Sequence, residues 1–209
     1  MLKPAGYETF WSSSQIKKGY SGVAVFSKEK PEKVTEGLGI EKFDQEGRAL
    51  MLDYGRFVLF NIYYPNGGEG NKRVPFKLEF YNAFLNLAEK LHKKGRKLIC
   101  AGDYNTAHTE IDLARPKENE TVTGFLPKER AWLDKFVSKD YVDTFRHFTK
   151  EGGHYTYWDY FTRARERNVG WRIDYFFVTK NILPNLKSAF ILKDVMDSDH
   201  CPIGIELHI

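Results

Sequence analysis

The sequence predicts a mixed α/β fold in a single domain spanning residues 1–209, on three observations. Leu98-Ile99-Cys100-Ala101 is a short, wholly apolar run that stops at Gly102, which reads as a strand buried on both faces. Just before it, Pro75 to His92 carries Tyr81, Phe84, Ala88 and Leu91 at three- and four-residue steps. Proline at the start and Lys93-Lys94-Gly95 at the end bound an amphipathic helix there. Arg48 to Tyr54 and Arg56 to Tyr63 alternate apolar and polar residues on either side of Asp53-Tyr54-Gly55, the pattern of a hairpin.

Composition narrows the class. A chain of 209 residues, 42% hydrophobic and 15% aromatic, has enough apolar surface for one sizeable core. No window is long and apolar enough to span a bilayer, and the amino terminus has no signal-peptide pattern. These features read as an intracellular protein of cytoplasm, nucleoid or nucleus, with no membrane partner. Its two cysteines, Cys100 and Cys201, fit neither a disulfide framework nor a zinc cluster and read as small buried residues. A net charge of +4 permits a polyanionic partner without requiring one.

Along the chain, Met1 to Tyr7 is loop-like, and a strand runs from Gly19 to Ser27. Lys28 to Gln45 is charged and lacks clear periodicity. Tyr63 falls where the second hairpin strand gives way to the turn Pro65-Asn66-Gly67. The central strand is followed by a long loop, Thr106 to Thr123, and then by a short helix from Pro127 to Val137 that packs Trp132, Leu133 and Phe136. Trp171 to Val178 alternates as another strand, with Asp174 on the side of Arg172 and opposite Trp171 and Ile173. The last strand holds Ile203, Ile205, Leu207 and Ile209.

The residues that bear chemistry gather at strand ends. Gly102 lets the backbone turn so that Asp103 and Asn105 project from the carboxyl end of the central strand, where open α/β sheets place ligands. Two oxygen ligands so spaced suit a hard cation such as Mg2+, although Gly-Asp-x-Asn by itself is also an ordinary turn. Asp174, an acid in an aromatic and β-branched strand, calls for a partner. Asp197-Ser198-Asp199-His200 offers one: Asp199 as a third oxygen ligand, and His200 as an acid or base held in one tautomer by Asp174. Between Tyr155 and Trp171, Tyr157, Trp158, Tyr160, Phe161 and Trp171 interleave with Arg163, Arg165 and Arg167, and Arg172 follows. Stacking surfaces beside guanidinium groups are the pattern of a nucleic-acid surface.

Taken together these residues resemble the exonuclease III family of abasic-site endonucleases, within the wider endonuclease/exonuclease/phosphatase fold. Gly102-Asp103-Tyr104-Asn105 and Ser198-Asp199-His200 are similar to motifs of the whole superfamily. Three narrower stretches carry the likeness to the DNA-repair branch: Ala107 to Leu113, Gly124 to Arg130 and Asn168 to Phe176. The resemblance implies a four-layered α/β sandwich of the DNase I type and hydrolysis of the DNA backbone on the 5′ side of an abasic nucleotide. Removal of 3′-blocking groups and of 3′-terminal nucleotides goes with it.

Carried over by position, the resemblance implies that Asp103 activates the attacking water, that Asn105 orients it or stabilises the pentacovalent state, and that Tyr63 contacts the scissile phosphate or assists the leaving group. His200, held by Asp174, polarises a phosphate oxygen. Asp103, Asn105, Asp199 and His200 form the expected surroundings of Mg2+, with Mn2+ as the alternative ion. Tyr157, Trp171 and Ile173 form the apolar pocket for a base-less sugar, and Arg163 and Arg165 extend the DNA surface. The partner implied is double-stranded DNA with abasic sites, bound by a monomer.

The chain also departs from the family pattern. The first family segment, which precedes the position of Gly6 and supplies an active-site asparagine and a metal-binding glutamate, has no counterpart here. A fold short of amino-terminal strands is expected, with weaker cation binding and exposed sheet edges. Two other readings stay open on the residues: a chain that binds abasic or duplex DNA without cutting, and a phosphatase for a small or lipid phosphate.

Overall fold

A computed structural model describes residues 3–209. The first two residues of the loop-like start therefore lie outside it. In chain order the elements are β1 (Glu8–Ser13), β2 (Gly22–Ser27), β3 (Lys33–Glu36), α1 (Glu41–Asp44), β4 (Ala49–Asp53), β5 (Val58–Tyr63) and α2 (Val74–His92). Then follow β6 (Leu98–Asp103), α3 (Pro116–Asn119), α4 (Pro127–Val137), β7 (Tyr141–Asp143), α5 (Thr144–Phe148), β8 (Asp174–Thr179), β9 (Leu186–Ile191) and β10 (Ile203–Leu207).

Local chemistry accounts for the expected elements. The β4–β5 turn is closed by the Gly55 amide on Asp53 Oδ1 and by the Tyr54 amide on the Phe57 carbonyl, with Gly55 at φ +74°. Pro75 sits in the first turn of α2, and Gly95, at φ +77°, ends the basic run after it. In α4, Glu129 reaches back to the Leu126 amide, while Trp132, Leu133 and Phe136 are buried.

Other elements differ from the sequence expectation. β1 arises in a stretch to which the sequence reading assigns no element, and β3 in one read as aperiodic. β3 is a four-residue edge strand that pairs only with β4 and exposes Lys33 and Glu36, so it needs no apolar face. β7, α5 and β9 likewise lie where the sequence predicts no element. The Trp171 strand begins only at Asp174, because Trp171 bridges to Leu113 and Tyr157 and the Arg172 amide donates to the Asp112 carbonyl. β6 runs on to Asp103 and is buried only through Cys100; from Ala101 onward it is half-exposed.

β3-β4-β5-β6-β8-β7 form one six-stranded sheet, parallel between β5 and β6 and antiparallel elsewhere. One face meets the helices: Val58, Phe60 and Ile62 of β5 and Leu98 and Cys100 of β6 pack with Phe80, Phe84, Trp132 and Phe136 of α2 and α4. Across the other face lie two antiparallel hairpins, β1–β2 against Leu50 and Leu52, and β9–β10 against Ile99, Val178 and Ile182. This is the mixed α/β architecture expected, with a central sheet between helices and a second set of strands. Among the described residues no helix is long and apolar enough to cross a membrane.

Candidate active site

Strand parity sets up the site. Tyr63, Asp103 and Asp174 lie side by side in register on β5, β6 and β8, and all three point to the face away from the helices. Gly102 allows this approach: a Cβ there would fall 1.8 Å from the Ile62 carbonyl oxygen, and its φ is +144°. Beyond the strand, Asn105 takes a left-handed conformation at φ +50° and turns back on Asp103. Its backbone amide donates to Asp103 Oδ1 at 2.7 Å, and its Nδ2 to Asp103 Oδ2 at 3.0 Å and to the Tyr64 carbonyl at 2.9 Å.

His200 arrives from the loop before β10. Its amide donates to Ser198 Oγ, and the loop is pinned by the Trp158 amide on the Asp199 carbonyl and the Cys201 amide on the Thr156 carbonyl. His200 Nδ1 lies 2.8 Å from Asp174 Oδ2. Tyr63 is braced from behind by buried Arg48, whose guanidinium lies 4.7 Å from the ring centroid and donates to the Tyr63 carbonyl.

These groups disturb one another's protonation. Burial and the neighbouring Asp174 charge raise Asp103 to about 7, against the opposing influence of His200, the Asn105 amide and Lys77. Burial disfavours charge on His200, but the hydrogen bond and charge of Asp174, with Asp103 and Asp199, prevail and raise it to about 9. Burial and the Asp103 charge push the Tyr63 phenol up, so it stays protonated at neutral pH.

Among the described residues, Asp103, Asp174 and His200 place their ligand atoms within 4.8 Å of one another. Asp174 rather than Asp199 completes this trio; Asp199 lines the same cleft and accepts from Ser198 Oγ. The donor chemistry fits a hard divalent ion. The Asp174 charge beside it raises the proton affinity of Asp103, and a cation relieves that repulsion. The imidazole, charged near neutral pH, serves better as a hydrogen-bond donor than as a soft-metal ligand.

A cleft of about 430 Å³ opens over these residues. Tyr63, Asp103, Asn105, Tyr157, Trp171, Ile173, Asp199 and His200, all expected from the sequence, line it together. Ile173 packs with Ala107, Leu113 and Phe125, and Tyr157 and Trp171 rest against that cluster. Asn66 lines it as well and donates from Nδ2 to Asn105 Oδ1. It was read only as a turn residue, and its place directly after Tyr63-Tyr64-Pro65 was the available signal.

The arginines separate from this group. Arg163 is exposed at φ +50°. Arg165 lines a second cleft, stacks on Trp158 and donates to the Ser198, Lys193 and Val195 carbonyls. Arg172, grouped with phosphate-binding guanidiniums in the sequence reading, is fully buried and paired to Asp112 and Asp143 at 2.7 Å each, so it braces the core instead.

Comparison with known proteins identifies the family and the fold. The model of the endonuclease/exonuclease/phosphatase family matches residues 2–200. An exodeoxyribonuclease of Bacillus subtilis is 41% identical over 209 residues, covering 100% of the chain and 82% of that protein. A DNA-(apurinic or apyrimidinic site) endonuclease of Dictyostelium discoideum is 44% identical over 207 residues, covering 97% of the chain but only 56% of its own length. Among solved structures, an AP endonuclease from Archaeoglobus fulgidus superposes with a TM-score of 0.89 at 26% identity, over 98% of this chain and 80% of that one.

Proposed function

Since the chain belongs to the endonuclease/exonuclease/phosphatase family, in the branch of the exodeoxyribonucleases and abasic-site endonucleases, we propose that it is a divalent-metal-dependent DNA-repair nuclease. It hydrolyses the phosphodiester on the 5′ side of an abasic nucleotide in duplex DNA. Its range extends to 3′-blocking groups and 3′-terminal nucleotides. The observation that carries this reading is the alignment of Tyr63, Asp103 and Asp174 across three neighbouring strands, with His200 docked on Asp174.

Asp103 accepts the proton of the attacking water, a task suited to a carboxyl whose proton affinity is raised toward neutrality. Asn105 holds the Asp103 carboxylate through both of its nitrogen donors and fixes the direction of attack. His200, positively charged and fixed at Nδ1 by Asp174, presents its Nε2–H to a phosphate oxygen. The Tyr63 hydroxyl, kept protonated, donates to the phosphate from the other side. Asp103 and Asp174 would hold Mg2+, with Asp199 facing the same cleft; the ion would supply positive charge for the developing oxyanion. Tyr157, Trp171 and Ile173 offer an apolar surface that suits a sugar without a base better than an intact nucleotide.

The test is nicking of an oligonucleotide duplex that holds one abasic analogue. Cleavage in Mg2+ that stops with chelator and with Asp103→Asn supports the proposal. A folded chain that retains the duplex without nicking at any Mg2+ concentration contradicts it.

A further inference from the structure

Behind the cleft, helices α2 and α4 meet over an ion pair that the proposed chemistry does not use. Lys77 and Glu129 are both 0% exposed, and Nζ donates to Oε1 at 2.6 Å. The other two ammonium protons go to the Asn105 carbonyl at 2.7 Å and to Thr106 Oγ1 at 2.8 Å, so all three donors are spent. On the far side, Glu129 Oε1 accepts from Thr123 Oγ1, and Oε2 accepts from the amides of Gly124 at 2.7 Å and Leu126 at 3.1 Å. Each ion thus grips one wall of the cleft.

The wall on the lysine side is the left-handed turn whose amide and side chain hold Asp103. The wall on the glutamate side is the segment against Trp171, where a Cβ on Gly124 would sit 3.3 Å from the indole ring. The two walls also touch directly through the Ala107 amide on the Gly124 carbonyl. Removing both charges from water stabilises a fold no better than well-packed apolar side chains of the same volume would. Its position, rather than its stability, distinguishes this pair.

We propose that Lys77 and Glu129 are positioning residues for this site: together they set the distance between the Asp103–Asn105 turn and the Trp171 wall, and so the placement of the phosphate before Asp103. The inference rests on the nuclease reading. It also gives the Gly124 to Arg130 stretch, prominent in the sequence, a physical role through Glu129.

The test compares the unchanged chain with Lys77→Met/Glu129→Gln, which removes both charges at nearly constant volume. The readouts are kcat and KM on the abasic duplex, affinity for that duplex in chelator, and amide hydrogen exchange at Asn105, Thr106 and Gly124. The double variant should fold, keep KM and affinity within about threefold, lose on the order of 100-fold in kcat, and exchange faster at those amides. A folded double variant with the kcat and exchange of the unchanged chain overturns the inference. Where the double variant does not fold, Glu129→Gln alone is read the same way, with a kcat loss on the order of tenfold expected and none contradicting. If the unchanged chain does not cut, the nuclease reading fails separately. Exchange at Asn105 and Gly124 then decides whether the pair holds the two walls, and unaltered exchange in the variant means that it does not.

Discussion

At the scale of single residues, chemistry in this cleft depends on charges crowded together by strand register. Asp103→Asn keeps the shape but only one of the two hydrogen bonds from Asn105, and it cannot take up a proton, so kcat for nicking should fall by about 10²–10⁴-fold. His200→Asn should cost a similar factor with a modest change in KM. Protons and cations compete for the Asp103 carboxylate, which is raised to about 7. Mg2+ should therefore raise the melting temperature clearly at pH 8 and much less at pH 6; an equal shift at both would remove Asp103 from the ion's surroundings. Asp103, Asn105 and His200 were legible in the sequence because an apolar run ending in glycine, and a short acidic loop before the final strand, mark where side chains leave a sheet. Arg172 was not legible. Its acidic partners, Asp112 and Asp143, are 60 and 29 residues away, so nothing local separates it from the exposed arginines beside it.

At the scale of elements, two arrangements hold the cleft in shape. The first is the close contact of β5 and β6 at Gly102. Gly102→Ala places a methyl within 1.8 Å of the Ile62 carbonyl and should cost about 3 kcal/mol or more, with nuclease activity lost through the displaced Asp103. Urea unfolding together with nicking checks both. The second is the buried network of Asp112 with Arg172 and Arg146. Burial alone would raise the Asp112 carboxyl, but the two guanidiniums outweigh it and lower the pKa to about 2 from its ordinary 3.8. The depressed value means the network contributes fully above about pH 4, about 2 kcal/mol, and loses that contribution as the pH falls toward 2. Asp112→Asn should flatten the acid limb of the stability curve; an unchanged limb would contradict this. The helices and the β4–β5 hairpin were readable from periodicity and turn residues. β3 and β7 were not, since strands of four and three residues at the sheet edges are fixed by pairing partners rather than by a pattern of their own.

At the scale of the whole molecule, the sheet brings residues 63, 103 and 174 into one row, and the loops before β10 and after α5 line the cleft with Tyr63 and Asp103. The mixed α/β class was legible because a helix feeding directly into a buried strand, next to a hairpin, leaves few other packings. Of the outer hairpins, β2 and β10 were legible but β1 and β9 were not: Thr9, Phe10, Trp11, Ser188 and Ala189 are only half-buried, which blurs the contrast between inner and outer faces. The chain spans 82% of the Bacillus subtilis relative and 56% of the Dictyostelium one, so its activity is to be measured on these 209 residues themselves. The most direct measurement is nicking of a duplex with a single abasic analogue by this chain, in Mg2+ and in chelator, beside Asp103→Asn. The account predicts a cut 5′ to the abasic site that requires both the cation and Asp103. A folded chain that leaves the duplex intact in Mg2+, or one that cuts equally well without Asp103, would contradict it.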